Sequence, residues 1–116
     1  MNEISASLSV SVSQGGNSAS GSVSFHADAQ ADGFTGSEQL AGTTAAALDF
    51  GDLALPQMLF VKNLDSANFV QIDANSSFNG FPQKILPGQG VFLAPKTGTI
   101  YAKADTAPVL LWVVVA

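Results

Sequence analysis

From Ile4 to Ser13 the chain reads ISASLSVSVS, with an apolar residue at every even position and serine at every odd one. Successive side chains of a β-strand leave opposite faces, so this period of two describes a strand and excludes an amphipathic helix. The stretch predicts a strand with Ile4, Leu8, Val10 and Val12 turned into a core and its serines turned to solvent. A slip of one residue would exchange the two faces, so the pattern specifies register as well. Gln14-Gly15-Gly16-Asn17 then reads as a turn, because Gly and Asn accept positive φ. Alternation resumes from Gly21, with Ser22, Ser24, His26 and Asp28 on one side and Val23, Phe25, Ala27 and Ala29 on the other. The two segments predict an antiparallel hairpin. The rival expectation is an arm that adds a strand to a neighbouring subunit.

Ala31 to Ala47 is rich in Gly, Ala, Ser and Thr and has little periodicity. It reads mainly as loop, with a short strand around Glu38-Gln39-Leu40 and a helical turn possible over Thr43–Leu48. The second half predicts strands at Met58–Asn63, Phe69–Ala74, Gly90–Ala94, Thr99–Lys103 and Val109–Val115, separated by clusters of Pro, Gly, Asn and Asp. Short strands at this spacing predict an all-β chain: one antiparallel β-sandwich over residues 1–116, jelly-roll-like or immunoglobulin-like. Residues 1–30 would be its hairpin or arm and 58–116 its denser strand region. LFVKNLDSANFVQIDA, Leu59 to Ala74, reads as a strand–turn–strand hairpin whose turn Asn63 and Asp65 cap by side-chain-to-backbone bonds.

Composition narrows the function classes. Charged residues are 11% of the chain against roughly 25% in an average soluble protein, so Ser, Thr, Asn, Gln, Gly and Ala must cover much of the surface. Such a surface suits packing against copies or a larger assembly. There is no arginine, the four lysines are scattered, and the formal net charge is −5. Nucleic acid therefore finds no basic footprint, and an anionic membrane would repel the chain. With no cysteine, neither a disulfide nor a thiolate is available. The opening Met-Asn-Glu-Ile-Ser has no basic or apolar signal region, so no secretory signal is expected.

No set of residues predicts catalysis, a cofactor or a metal. His26, the single histidine, is in phase with the polar face of its strand and reads as an exposed strand residue. The closest carboxylate pairs, Asp28 with Asp32 and Asp49 with Asp52, lack the aromatic platforms that go with glycosidase work. Asp73-Ala74-Asn75-Ser76-Ser77-Phe78-Asn79-Gly80 lacks the third acid and terminal Glu of a calcium loop and reads as a hairpin tip. The glycines at 15–16, 33–36 and 88–90 read as turns without phosphate-binding spacing, and no G-x-S-x-G elbow occurs. The informative element is Leu110-Leu111-Trp112-Val113-Val114-Val115, apolar at both even and odd positions. A sandwich strand has one face in the core, so the other needs cover from the Ala41–Ala47 loop or from a neighbouring subunit. Trp112, Leu110 and Val114 are accordingly the interface candidates, joined by the loop aromatics Phe78 and Phe81.

Asn63-Leu64-Asp65-Ser66-Ala67-Asn68-Phe69-Val70-Gln71-Ile72, then Ile85-Leu86-Pro87-Gly88, then Ile100-Tyr101-Ala102-Lys103-Ala104-Asp105-Thr106-Ala107, resembles a group of small tailed-phage virion proteins. The resemblance runs from Leu59 to the end, about half the chain. Members often carry an acid where this chain has Gln89, and charged or Tyr positions in the last strand, where this one is apolar. The resemblance implies a structural protein of a phage virion, without a place on head, neck, tail or fibre, and brings no catalytic residues; the expected role is a non-enzymatic capsid-decorating or other auxiliary head protein. Its implied partners are itself and a major capsid or tail protein. The alternative is a tail, neck or fibre component, or a module that binds a host-surface glycan or receptor.

Overall fold

Gly15 and Gly16 take φ of 60° and 82°, the left-handed pair that a tight two-residue hairpin turn demands. Around them β1 (Glu3–Gln14) and β2 (Asn17–Asp28) pair antiparallel without a bulge, from Glu3 opposite Asp28 to Gln14 opposite Asn17. The computed structural model describes residues 3–28 and 34–116, and it divides into two units, Met1–Ala31 and Asp32–Ala116. Ala29 and Asp32 lie outside the described residues, as does the side chain of Asp28. The hairpin is as predicted, but its core is not. Ile4 is buried, whereas Leu8, Val10, Val12 and Val23 are each about half exposed or more. Alternation dictates that one face is apolar; it carries no information on what covers that face, and a two-stranded sheet cannot cover itself.

The second unit is a sandwich of two four-stranded antiparallel sheets. One has the order β3 (Thr35–Ala41), β10 (Val109–Val115), β5 (Leu59–Asn63), β8 (Gly90–Leu93). The other has the order β4 (Ala46–Ala47), β9 (Tyr101–Ala104), β6 (Val70–Asp73), β7 (Gln83–Ile85). The pairings are nested: β6 with β7, β5 with β8, β4 with β9 and β3 with β10. Strands β3 to β6 and β7 to β10 are thus the two arms of one long antiparallel ribbon. Rolling that ribbon places alternate strands in opposite sheets and brings β10 against β5 and β9 against β6. This is the strand order of a jelly roll, one of the two sandwich types expected.

Inward residues of both sheets form the core. Leu59 and Val61 of β5 and Val109, Leu111, Val113 and Val115 of β10 meet Val70 and Ile72 of β6, Ile85 of β7 and Ala102 and Ala104 of β9. Leu48, Phe50, Leu53 and Ile100 extend it.

Two further expectations are corrected. Leu59 to Ala74 is not a hairpin, because β5 and β6 lie in different sheets and never pair. The segment is an arch that carries the chain across the sandwich. Its turn chemistry is as expected. Asn63, fully buried, receives the Asp65 amide on Oδ1 at 2.8 Å and donates from Nδ2 to the carbonyls of Asn68 and Ile85 at 2.9 and 3.0 Å. Asp65 Oδ2 accepts the amides of Ala67 and Asn68. The helical turn over Thr43–Leu48 is also replaced by strand: Ala46 and Ala47 pair with Ala102 and Tyr101, and the Leu48 amide donates to Ile100 at 2.8 Å. The edge of β9 offers that ladder, while Gly42 and the β-branched Thr43 and Thr44 weaken a helix. Sequence also missed β7, three residues long, and shortened β3.

Candidate docking face

Strand β10 lies between β3 and β5 with its odd residues in the core and fully buried. Its even residues, Leu110, Trp112 and Val114, point to the outside of the sandwich. Register then assembles the rest of that surface. Leu40 stands opposite Leu110, Glu38 and Lys62 flank Trp112 from either side, Gly36 and Phe60 flank Val114, and Phe92 stands opposite Phe60. Leu40 is 68% exposed, and Leu110 and Trp112 are each 38% exposed. Phe60, Phe92 and Val114 are half-buried. The Ala41–Ala47 loop is therefore not the cover for this side of β10: Ala41 lies beside Val109 in the sheet, not above it.

Two glycines shape the face: Gly36 stands in a strand where a turn was expected, and Gly90 opens its strand as expected. Gly36 lies inside β3, and a Cβ there would sit 3.5 Å from Cζ2 of Trp112. Gly90 opens β8, and a Cβ there would sit 3.3 Å from Cε2 of Phe60. In both places an aromatic ring leans diagonally across a glycine on the next strand and covers backbone that has no side chain of its own. The result is a low relief of rings and leucines with one acid and one base. Glu38 and Lys62 are both exposed, so the face carries no net charge.

The outer side of the other sheet differs. It presents Gln71 between Lys84 and Lys103, with Asp73 opposite Tyr101, and Lys84 Nζ sits 4.2 Å from the centroid of the Phe69 ring. One side of the sandwich is dressed for water and the other is not.

The remaining candidates separate from this face. Phe78 and Phe81 stand on the β6–β7 connection of the polar sheet. Phe81 is 81% exposed; Phe78 is half-buried and holds a φ of 54°, uncommon for a bulky residue. Trp112, Leu110 and Val114 are thus brought together, and the two loop phenylalanines are not brought to them. Phe60, Phe92 and Leu40 belong to the face and were not singled out in the sequence. Their signal was the same as in β10: Met58-Leu59-Phe60-Val61 and Val91-Phe92-Leu93 are apolar at odd and even positions, in shorter runs.

Three carboxylates, Asp49, Asp65 and Asp73, hold backbone amides. Asp73 accepts the amides of Gly80 at 3.0 Å and Phe81 at 3.3 Å, which closes the β6–β7 connection. Asp49 accepts the Gly51 amide at 2.8 Å, and Gln39 bonds both the carbonyl and the amide of Asp49. His26 Nδ1 lies 3.3 Å from Glu3 Oε1, an exposed pair of small energetic weight. Among the described residues no three His, Asp or Glu side chains converge as metal ligands. Two shallow depressions lie on the hairpin, one lined by Ser7, Leu8, Ser9, Ser22, Val23 and Ser24 and neither by an ionisable group. What the arrangement offers chemically is apolar burial with a little neutral hydrogen bonding. Compared with known proteins, the chain matches no family model, no curated protein and no solved structure.

Proposed function

We propose that the chain is a non-enzymatic structural part of a tailed-phage particle, a capsid-decorating or auxiliary head protein that docks through the outer face of the β3-β10-β5-β8 sheet. The observation that carries the reading is that face: Leu40, Leu110 and Trp112 open to solvent on one side of a sandwich whose other side is polar. Large apolar patches on small domains mark interaction sites. The residues that resemble small phage proteins and the low charge of the chain add to it. The jelly-roll order adds an analogy of fold alone, since such sandwiches recur in viral capsid and lectin domains. Many copies on a repeating shell would turn weak single contacts into firm attachment. A glycan-binding module has less behind it, because Phe78, the other aromatic of the connection that carries Phe81, is half-buried.

The test is mass spectrometry of purified particles of the phage that encodes the chain. Hundreds of copies per particle are expected for a shell component, and a handful would move it to neck or tip. Leu110→Asp should keep the fold and remove the protein from particles. Attachment should persist in high salt, since screening acts on charges and the face has almost none. Absence from particles would end the virion reading, and retention of the Leu110→Asp variant would clear the sheet face of the role.

A further inference from the structure

The hairpin presents a second apolar face that the docking reading does not use. On its turn-side half, register places Leu8 opposite Val23, Val10 opposite Gly21 and Val12 opposite Ala19, all on one face and all exposed. We propose that this half of the hairpin closes with the same segment of two or three further copies of the chain into a small β-barrel, apolar residues inside and serines outside.

Three observations lead to copies of the chain and to closure. The first is the edges. The hairpin is a sheet of two strands only, so over Leu8–Gln14 and Asn17–Val23 each strand has one side with no neighbouring strand among the described residues. In an antiparallel ladder, half of each strand's N–H and C=O groups point away from the partner. The usual protections of such an edge are charge, proline or a bulge. From Ile4 to Phe25 there is no charged residue and no proline, and the ladder has no bulge. Hairpins related by a rotation axis bring β2 of one copy antiparallel to β1 of the next, which satisfies both edges.

The second is area. The exposed half is about seven residues long, roughly 25 Å at ~3.4 Å per residue, and two strands wide, or about 10 Å. It offers about 250 Å² per copy. Two copies stacked face to face would bury about 500 Å² in total, the size of a crystal contact and below the ~1,200 Å² of a specific interface. Stacking also leaves every edge bare. Closure of three or four hairpins buries all the faces and removes all the edges, at six or eight strands. Eight strands leave an interior that side chains just fill.

The third is the pairing of sizes. Val10 faces Gly21 and Val12 faces Ala19, and toward the open end Ala6 faces Phe25 and Ile4 faces Ala27. Leu8 opposite Val23 is the exception; at the other four levels a large residue stands opposite a small one, which suits a narrow interior where side chains interdigitate from all sides. A flat partner would have no use for it.

The inference is independent of the virion reading and uses another surface. Analytical ultracentrifugation of the full chain should give a trimer or tetramer that resists high salt. Val10→Asp, or Leu8→Asp with Val23→Asp, should give monomers whose Trp112 emission and unfolding midpoint match the parent. Ser9→Asp, on the outward face, should leave the copy number unchanged, and so should Leu110→Asp. Hydrogen exchange on the unmutated protein adds a readout that does not depend on the variants folding. In the barrel both alternate sets of amides in Leu8–Gln14 and Asn17–Val23 are protected, whereas a bare edge leaves one set fast. A parent that stays monomeric or stops at a dimer overturns the proposal, as does an oligomer that survives Val10→Asp. Assembly only on added phosphatidylcholine vesicles would overturn it too, by making lipid the cover.

Discussion

Asn63 is the residue on which a single substitution should reach furthest. It is fully buried, and its side chain holds three backbone groups from two parts of the chain: the Asp65 amide and Asn68 carbonyl of the arch, and the Ile85 carbonyl of β7. Its own amide and carbonyl bond to Gln89 and Gly88. It therefore ties the arch between β5 and β6 to the end of β7 and to the turn before β8. Asn63→Leu keeps the branching and the number of side-chain heavy atoms but is larger, so it opens no cavity, and overpacking can only add to the loss. The bond to Ile85 is buried, and its loss leaves a carbonyl without water, at about 1–3 kcal/mol. The other two bonds are partly buried, at about 0.5–1.5 kcal/mol each. The expected loss is about 4 kcal/mol out of a net stability of ~5–15 kcal/mol. With a urea dependence of ~1.5 kcal/mol per molar, the midpoint should fall by about 2–3 M. Asn63→Asp should cost more, since an oxygen would replace the donor that faces two carbonyls. Urea titration followed by the fluorescence of Trp112, the single tryptophan, measures both. An Asn63→Leu variant within 1 kcal/mol of the parent would show that the three bonds are replaceable and that the hub is not one.

Asp65 gives a pH prediction. The amides of Asn68 and then Ala67 hold its carboxyl below the ordinary carboxylate range. A depressed folded value means that the cap contributes its stability above the ordinary range and loses it as pH falls through the folded value. An NMR titration of the carboxyl should show the depression, and Asp65→Asn should abolish that part of the acid dependence; a carboxyl that titrates normally would refute the cap. Gly98 tests packing: a Cβ there would run into the carbonyl oxygen of Ala54, whereas one at Gly42 meets nothing within 4 Å. Gly98→Ala should lower stability by about 1–3 kcal/mol and Gly42→Ala should not, as thermal melts of the two would record.

The alternation that defines β1 and β2 was legible because a period of two has one structural meaning, and β10 was legible as an unbroken apolar run. What they could not convey is cover. Leu8 and Leu111 both lie on an apolar strand face, yet one is half exposed and the other is sealed between two sheets. The difference lies in strands that are remote in sequence. The arch at Asn63–Asn68 shows the same limit. Its side-chain caps are local and were foreseen, but whether β6 turns back beside β5 or crosses to the other sheet depends on β10 taking the place beside β5. The docking face was half legible. Trp112, Leu110 and Val114 stood out because β10 is apolar throughout, whereas Gly36 read as a turn glycine and nothing local showed that Gly36 and Gly90 lie under aromatic rings.

The nested ribbon bears on how the chain is made. Its one local pairing is β6 with β7, and every later rung joins segments further apart in sequence, ending with β3 and β10. Topologies built on distant pairings close slowly, on the millisecond-to-second scale. Strand β10 fills the slot between β3 and β5 and is the last of the ten to leave the ribosome. Until Val109–Val115 emerges, β3 and β5 have no common neighbour and the core lacks its most buried strand. Strands β3 to β9 must then wait as an open, apolar ribbon. In a cell making many copies at once, that interval is when neighbouring chains compete for the slot, and dilution or a holding chaperone should raise the yield of folded protein.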